Sequence, residues 1–585
     1  MKDFIILNRQ NHQTNPIGKE VALNTKWSLI TQGDYQDYNV EGHRVIVIGD
    51  YIGSKEEILN SKSHDIPKLK GNFYAIVIKK ESIKLYNSFF SLLPIYLTED
   101  KSMMASSIAL IKENSKQVFS VDKKFILENL LFNYGFFNRT KYKEIKLLPC
   151  NHFIALNKNN AAILKHYAVA NLFVEKPKSG KTVTDDLSRL FIENTKEYFP
   201  DANFHIAFTS GFDGRTLVSC ATHHQKKFKT FSFGRPENPD VVIPAKNAAE
   251  LDIPYDYYDL GVADYTEKFY FKNACDYTSS GYLGNGFLYA HFPYSSKKIA
   301  EESNYLISGA CGSELFRALH LTGAVTSKAL ADIFITKDEQ ELREKLRTSK
   351  TLDVLNINEF SNELNELISE VIDYKNELPK NISLNQQFYI FVFEEIFRKF
   401  FGQWIVTQQA HVHVRTPFLD FNFVKALLQT KYAGANNDFF TGNPIKRVKG
   451  QYLYADIIKK TNKTIYHQIT GKGYAPKSVR NVFSRVAILL PFIKKKINKK
   501  TVKPYLDNLG IISGVKKSNI LLKKLIKDSL FFNKEQLYER LECLSEHTPE
   551  KERDTLLMAL SILHNSQKEI KRESEKNKNK CCINN

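Results

Sequence analysis

The segment from residue 204 to residue 215 reads Phe204-His205-Ile206-Ala207-Phe208-Thr209-Ser210-Gly211-Phe212-Asp213-Gly214-Arg215. Its first five residues form a mainly apolar run that predicts a buried strand, and the residues after them predict a loop. Beyond the loop, Leu217, Val218 and Ala221 have the spacing of one helical face. A glycine-containing loop between a strand and a helix predicts an anion site, because loop N–H groups and the helix dipole both favour negative charge there.

The pattern on either side of this segment predicts the architecture. Downstream, we expect strands at residues 228–233 and 253–258 with a helix at 241–251 between them. Such alternation predicts a parallel sheet with right-handed crossovers. Upstream, three β-rich runs are typical of strands: residues 45–48, 73–78 and 153–156.

The chain has 585 residues, which is too long for a single hydrophobic core. Residues 172–180 carry a proline and a glycine and look like a linker, and helical spacing begins at Leu187. We therefore expect three regions: a mostly β region at 1–170, an α/β region at 185–480 and a basic helical region at 481–585.

The predicted loop suits a pyrophosphate group. Its glycines allow close approach of the backbone, and Asp213 offers a carboxylate to Mg²⁺, the ion that neutralises phosphate charge in such sites. Taken alone the motif is weak, since roughly half of such matches are ordinary turns. Its position between a strand and a helix strengthens it.

Further motifs follow in order, and together they resemble those of asparagine synthetases and their relatives. The segments that carry this resemblance are residues 209–215, 230–234, 308–316, 415–420 and 471–476. The resemblance implies ATP binding by Thr209, Ser210, Gly211, Asp213, Gly214, Arg215, Phe233, Ser308 and Gly309. It also implies a Mg²⁺ site at Asp213 and Ser313, and reacting-centre roles for Lys472, Glu314 and Arg415.

The N-terminal region is similar to the amidotransferase domain of the same family, through residues 71–75, 94–97 and 166–167. The resemblance implies a β-sandwich of α+β class there, followed by a doubly wound parallel sheet. The family's glutaminase nucleophile is a cysteine after the initiator methionine, where this chain has Lys2. Gly53 and Asn87-Ser88 replace a family asparagine and an Arg-Asp pair. We expect a domain without glutaminase chemistry.

The α/β region departs from the family as well. Ala310 stands where the family has a glutamate at the acceptor site, Ser313 replaces a metal-binding aspartate, and His413 replaces a glutamate. His413 is either a general base or a core histidine. Arg415 either binds a phosphate or carboxylate or forms an internal ion pair. Asp420 precedes an apolar helical pattern and is expected to cap that helix.

These motifs and their departures from the family are compatible with two main functions. The first is an ATP-dependent ligase that adenylates a small-molecule or peptide carboxylate for attack by ammonia or an amine. The second is a catalytically degenerate protein that binds a nucleotide or a peptide as a scaffold, favoured by Ala310 and Ser313. An RNA-modifying enzyme with a nucleotide loop is a weaker third reading, suggested only by the charge.

The net charge is +19, with 83 basic and 64 acidic residues. Aromatic residues are not interleaved with the late lysines, so we expect no specific nucleic-acid partner. Residues 485–500 combine an apolar run with a cationic one, which allows weak attraction to a membrane surface; packing on the domain is the simpler expectation. No apolar stretch is long enough to span a bilayer. Seven cysteines without metal-ligand spacing suggest reduced thiols and a cytoplasmic protein.

Overall fold

The computed structural model describes residues 3–9, 18–40, 42–80, 82–157, 160–316, 325–437, 450–480, 488 and 507–583. The apolar-cationic run predicted at 485–500 lies outside the described residues apart from Ile488. Among the helices in the described part of the chain, none is both long and apolar enough to cross a membrane.

The N-terminal region folds into two antiparallel six-stranded sheets, as the family resemblance implies. One sheet has the order β10-β8-β9-β1-β3-β2 and the other β12-β11-β7-β6-β5-β4. Their inner faces share a core, in which the rings of Phe4 and Tyr74 pack edge to face with centroids 4.8 Å apart. The strands are β1 Phe4–Asn8, β2 Lys19–Ala22, β3 Trp27–Thr31, β4 Gln36–Val40, β5 His43–Ile52, β6 Lys70–Lys79, β7 Ser82–Asn87, β8 Tyr96–Thr98, β9 Met103–Ala105, β10 Ile145–Leu147, β11 His152–Leu156 and β12 Ala161–Lys165.

The next region is built on a five-stranded parallel sheet of order β15-β14-β13-β16-β17. This confirms the α/β fold predicted from the alternating pattern. The strand that opens the decisive segment, β13, is central, because the chain adds β14 and β15 on one side of it and then β16 and β17 on the other. The strands are β13 Phe204–Ala207, β14 Lys229–Gly234, β15 Tyr255–Asp259, β16 Tyr305–Ile307 and β17 His413–Arg415.

Helices cover this sheet and form the C-terminal region. The helix expected from Leu187 begins earlier, at Lys181, and runs to Tyr198. The α-helices are Lys55–Asn60, Ile108–Asn114, Lys123–Phe132, Lys181–Tyr198, Asp213–His223, Pro239–Glu250, Tyr270–Ser279, Gly286–Tyr289, His291–Ala300, Gly312–Phe316, Lys328–Ile335, Glu339–Arg347, Ser361–Glu377, Leu384–Phe391, Gly402–Gln409, Phe421–Leu428, Tyr452–Thr461, Lys463–His467, Pro476–Arg480, Ile511–Lys517, Asn519–Lys527, Lys534–Glu542 and Glu550–Ile583. Two π-helical segments occur at Asp264–Phe269 and Val392–Phe401.

Buried polar contacts join the N-terminal region to the parallel-sheet region. Arg415 on β17 donates to both carboxylate oxygens of Asp50 on β5, over 2.7 and 3.0 Å. The Asn72 side chain donates to the Val414 carbonyl over 2.8 Å. In the π-helical segment, Arg398 donates to the Leu148 carbonyl and Lys399 to the Gly135 carbonyl. The two regions are therefore held together by specific charged groups as well as by apolar packing.

Candidate functional site

The predicted site lies where the order of the parallel sheet reverses. In open α/β sheets the loops that follow the two strands flanking such a reversal separate and leave a crevice at the carboxyl edge of the sheet. Here those strands are β13 and β16, and their loops are residues 208–212 and 308–311. Topology alone thus brings together two segments that are about a hundred residues apart in sequence.

The loop after β13 is tightly built. A Cβ atom on Gly214 would stand 2.2 Å from the Ala207 carbonyl oxygen, so the helix can begin directly over the strand only with glycine there. Asp213 is the first residue of the helix Asp213–His223, where a carboxylate is favoured by the helix dipole. On the other side of the loop, the backbone N–H and hydroxyl of Ser210 both donate to Asp240, over 3.1 and 2.5 Å.

The second loop closes against Asp213. Ser313 donates its hydroxyl proton to Asp213 Oδ2 over 2.8 Å, and the Tyr454 hydroxyl donates to Oδ1. A Cβ atom on Gly309 would lie 2.9 Å from the Asp213 Cβ, and one on Gly312 would lie 2.7 Å from Oδ1. The two glycines allow this approach, so the structure places the two predicted metal-binding residues in direct contact.

The turn that carries Lys472 packs on the same loop. The Gly471 N–H donates to the Ser210 carbonyl over 3.1 Å, and the Gly473 N–H closes the turn on the Thr470 carbonyl over 2.9 Å. Gly473 has a φ of +84°, which favours glycine at this position. Lys472 is exposed, and its ammonium group stands 5.6 Å from the centre of the Phe212 ring. Because Phe212 directly precedes Asp213, this contact places the Lys472 ammonium group near the Asp213 loop.

Arg215 was expected to bind ATP, and the structure places it beneath the loop. Its side chain is fully buried and donates to the carbonyls of Gly211 and Ile469, both over 3.3 Å. With the Asn247 amide turned so that its oxygen faces the guanidinium, that oxygen accepts over 2.8 and 3.0 Å. Burial lowers the pKa of Arg215 to about 10, which leaves it charged at neutral pH. Arg215 ties the nucleotide loop to the segment before the Lys472 turn.

Arg415 lies in the interface with the N-terminal region. Its guanidinium is bound bidentately by Asp50 and donates to the Tyr198 carbonyl, so the internal ion pair is the alternative that the structure adopts. Three of the five N–H groups of the guanidinium are used in these bonds and the side chain is buried, so the geometry favours a structural role for Arg415 over the role at the reacting centre that the resemblance implies. Asp420 caps the helix Phe421–Leu428 by accepting from the Phe423 N–H, as predicted.

His413 begins β17 and pairs with Tyr305, the first residue of β16. Because the strands are parallel, both residues lie toward the amino edge of the sheet, away from the loops at its carboxyl edge. The rings of His413 and Tyr305 stack with centroids 5.3 Å apart. His413 is half-buried and far from the crevice, so this placement favours a structural role over that of a general base.

The remaining predicted residues line or support the two loops. Thr209 accepts the Gly211 N–H, and Ser308 accepts the Ala310 N–H. Phe233, near the end of β14, packs its ring 4.6 Å from that of His291. Glu314 is part-exposed in the short helix Gly312–Phe316, and its carbonyl accepts from Tyr389 over 2.6 Å.

Sequence reasoning missed two groups near the loops. Tyr454 lies 241 residues after Asp213, and no local pattern links them. The C-terminal region also reaches the end of β14: Asn508 accepts the Arg235 N–H over 3.1 Å, and Asp507 pairs with the Arg235 guanidinium over 2.5 Å. Gly234 has a φ of +139°, which favours glycine at that strand end, and a Cβ built there would lie 2.7 Å from the Asn508 side-chain oxygen.

Two sets of residues could be considered for a metal. Asp213 and Ser313 supply one carboxylate and one hydroxyl, a set that fits Mg²⁺ when phosphate oxygens and water complete the shell. His205, Asp256 and Glu302 form the other set, toward the amino edge of the sheet. There the Lys229 ammonium already bridges the carboxylates, 3.1 Å from Asp256 and 2.6 Å from Glu302, so a second cation would be repelled.

The N-terminal positions that differ from the family are filled internally. A Cβ atom on Gly53 would overlap the Tyr51 hydroxyl and the Glu57 carboxylate, at 2.3 and 2.2 Å. These two groups are hydrogen-bonded to each other over 2.9 Å. Asn87 donates to the Leu93 carbonyl over 2.9 Å and is buried. Lys2 lies outside the described residues.

A model of the family described as asparagine synthase matches residues 200–487. No protein of curated function matches the sequence significantly. A solved structure described as the allosteric regulatory enzyme of purine biosynthesis is 10% identical, with a TM-score of 0.17; the alignment covers 44% of this chain and 58% of that chain. A glutamine phosphoribosylpyrophosphate amidotransferase from B. subtilis, complexed with ADP and GMP, is 9% identical, with a TM-score of 0.18. That alignment covers 65% of this chain and 88% of the amidotransferase chain.

Proposed function

Because residues 200–487 match the model of the asparagine synthase family, a family of ATP-dependent ligases, we propose that this chain forms an amide bond at the expense of ATP. In the proposed reaction a carboxylate oxygen attacks the α-phosphorus of ATP, and pyrophosphate leaves. Ammonia or an amine then attacks the activated carbonyl carbon, AMP leaves, and the amine gives up a proton. The observation that carries the proposal is the contact between Asp213 and the Ser313 loop at the reversal of the sheet.

The residues at this crevice would share the work. The N–H groups at the start of the helix Asp213–His223 would hold phosphate oxygens, because those of Ser210 and Gly211 already donate to Asp240 and Thr209. Asp213 would hold a Mg²⁺ ion, which when bound neutralises phosphate charge. The Lys472 ammonium, exposed on a turn that packs on the same loop, would stabilise negative charge as it builds on the phosphorus or the carbonyl oxygen.

The nitrogen source is proposed to be free ammonia or an amine rather than glutamine. The pair formed by Tyr51 and Glu57 fills the space beside Gly53, and Asn87 spends its amide on an internal carbonyl. In the family, these positions carry the asparagine and the Arg-Asp pair that hold glutamine. The N-terminal region would therefore serve to support the parallel sheet.

Calorimetric titration with Mg-ATP tests the site. Asp213→Ala should weaken Mg-ATP binding at least tenfold, because it removes the carboxylate on which Ser313 and Tyr454 converge. Asp201→Ala is the matched control, since Asp201 lies before β13 at the other edge of the sheet and is exposed. Equal affinity in both variants would refute the assignment.

A non-catalytic scaffold is the second candidate, favoured by the serine at position 313. A hydroxyl is a weaker Mg²⁺ ligand than a carboxylate, and here it is hydrogen-bonded to Asp213. Exchange of labelled pyrophosphate into ATP, measured across a panel of carboxylic acids and peptides, separates the candidates. Exchange with any acid supports the ligase; Mg-ATP binding with no exchange across the panel supports the scaffold.

A further inference from the structure

Two consecutive C-terminal helices, Ile511–Lys517 and Asn519–Lys527, have one face in the protein and one in solvent. The inner face packs through Leu522, Leu525 and Ile526. The outer face combines apolar and cationic side chains, and we call it the lysine surface, defined by Ile520, Leu521, Lys523, Lys524, Lys527 and Leu530.

The apolar members of the lysine surface are unusually exposed. Ile520 is 86% exposed, Leu521 48% and Leu530 46%, and Ile520 is the most exposed large apolar side chain in the described part of the protein. Isolated exposed apolar residues are ordinary, but several on one surface mark a binding site. Ile520 and Leu521 lie on the same helix as Lys523, Lys524 and Lys527, and Leu530 follows three residues after the end of that helix.

The cationic members are only partly neutralised. Lys523 pairs with Glu542 over 2.5 Å. Lys524 and Lys527 have no ion-pair partner among the described residues, and they follow Ile520 at the i+4 and i+7 positions of one helical face. A protruding apolar side chain is therefore flanked by two ammonium groups that form no ion pair among the described residues. The carboxylates of Asp528 and Glu542 line the same hollow as these lysines and reduce the local positive charge.

We propose that the lysine surface docks on an anionic lipid bilayer. Ile520 and Leu521 enter the boundary between headgroups and acyl chains, while the lysine stems lie along it and their ammonium groups meet the headgroups. The overall charge of +19 adds long-range attraction between the protein and the anionic bilayer.

The chemistry of the surface favours lipid over nucleic acid or an acidic protein. Nucleic-acid platforms stack bases on aromatic rings and use arginine forks, whereas the cations here are all lysines and the protruding residues are aliphatic. One aromatic residue, Tyr538, lines the hollow beside the lysines, and its hydroxyl donates to the Lys523 carbonyl. An acidic peptide would use the ammonium groups but would leave Ile520 exposed. An anionic bilayer would bind the ammonium groups through its headgroups and bury Ile520 at the start of its acyl chains.

Flotation of the full chain with vesicles tests the proposal. At low salt the protein should float with phosphatidylcholine vesicles that contain phosphatidylserine, and not with pure phosphatidylcholine. Lys524→Glu/Lys527→Glu should reduce the floated fraction, since each lysine near an anionic surface contributes roughly fivefold to partitioning, or roughly 30-fold for two. Ile520→Ser/Leu521→Ser should also reduce it, without changing net charge.

Two controls match these variants. Lys116→Glu/Lys337→Glu makes the same charge change on exposed residues elsewhere, and Ile335→Ser removes another exposed isoleucine, which is 48% exposed. Both should float like the parent. Absence from anionic vesicles at low salt, or equal flotation of the surface variants and their controls, would overturn the proposal. So would binding to polyglutamate or DNA that needs the lysines but not Ile520, since it would identify an acidic macromolecule as the partner.

Discussion

The buried pair between Asp50 and Arg415 gives the sharpest quantitative prediction. Asp50 is 7% exposed and Arg415 8%, and the pair is bidentate. Replacing Asp50 by Asn removes the negative charge and one of the two acceptor oxygens. The buried guanidinium then has no counter-charge and keeps only neutral partners, among them the Tyr198 carbonyl and the Tyr305 ring, whose centre is 4.7 Å away. Removing one partner of a buried pair costs about 3–5 kcal/mol. The contact between β5 and β17 should therefore open at least a hundredfold more often.

Hydrogen exchange measured by mass spectrometry on peptides that cover β5 and β17 reports this opening directly. The matched control is Asp37→Asn in the same sheet, because Asp37 also binds an arginine, Arg44, over 2.7 and 2.9 Å, but at the surface. A surface pair contributes about 0–1 kcal/mol. The control should therefore change exchange severalfold at most.

The double variant Asp50→Asn/Arg415→Met separates loss of the pair from loss of the interface. It should open less than Asp50→Asn alone, since no buried charge is left unpaired. The reasoning fails if Asp50→Asn exchanges like Asp37→Asn. It also fails if the effects of the two single substitutions simply add.

Three further outcomes follow from the structure. Incubation with glutamine should release no ammonia above a blank without enzyme, and any turnover above that blank would contradict the proposed nitrogen source. Gly214→Ala should abolish Mg-ATP binding, because its Cβ atom would press on the Ala207 carbonyl; Gly211→Ala, with 3.4 Å to its nearest neighbour, should keep it. Burial lowers the pKa of His291 to about 3, below its unfolded value of 6.5, so the unfolded chain takes up the proton first. The stability due to neutral His291 is full above pH 6.5 and should fall by about 2 kcal/mol at pH 5, a loss that urea titrations of His291→Gln should not show.

Local patterns in the sequence were enough to predict the parallel-sheet region, whereas the two-sheet arrangement of the N-terminal region was implied by the family resemblance. The apolar run at 204–208 and the helical spacing after it gave the strand, loop and helix where the structure has them, because these elements depend on neighbours within a few residues. The same holds for Asp420, whose place before an apolar helical pattern predicts its capping bond to Phe423. The bounds of the three regions stay a prediction.

The site was predictable in its loops and less so in its long-range partners. Ser210, Asp213 and Ser313 come from motifs, and the sheet order brings them together. Tyr454 lies 241 residues from its partner Asp213, and Asp50 lies 365 residues from its partner Arg415. Tertiary packing brings these pairs together, and no local pattern in the sequence predicts it. Arg215 looked like a ligand-binding cation, but its neighbours offered two carbonyls and an amide, which turned it inward.

The charged interface bears on why the N-terminal region would persist if, as we propose, it has no glutaminase chemistry of its own. A nucleophile can disappear through one substitution, with little effect on the rest of the molecule. Arg415, Arg398 and Lys399 are different, since each would lose a buried acceptor if the region in front of them were deleted. Such a loss exposes three cations and their apolar surroundings at once, so it requires several compensating changes in one step. Dependence of the parallel-sheet region on these contacts would therefore make the N-terminal region hard to lose, whether or not it carries out a reaction.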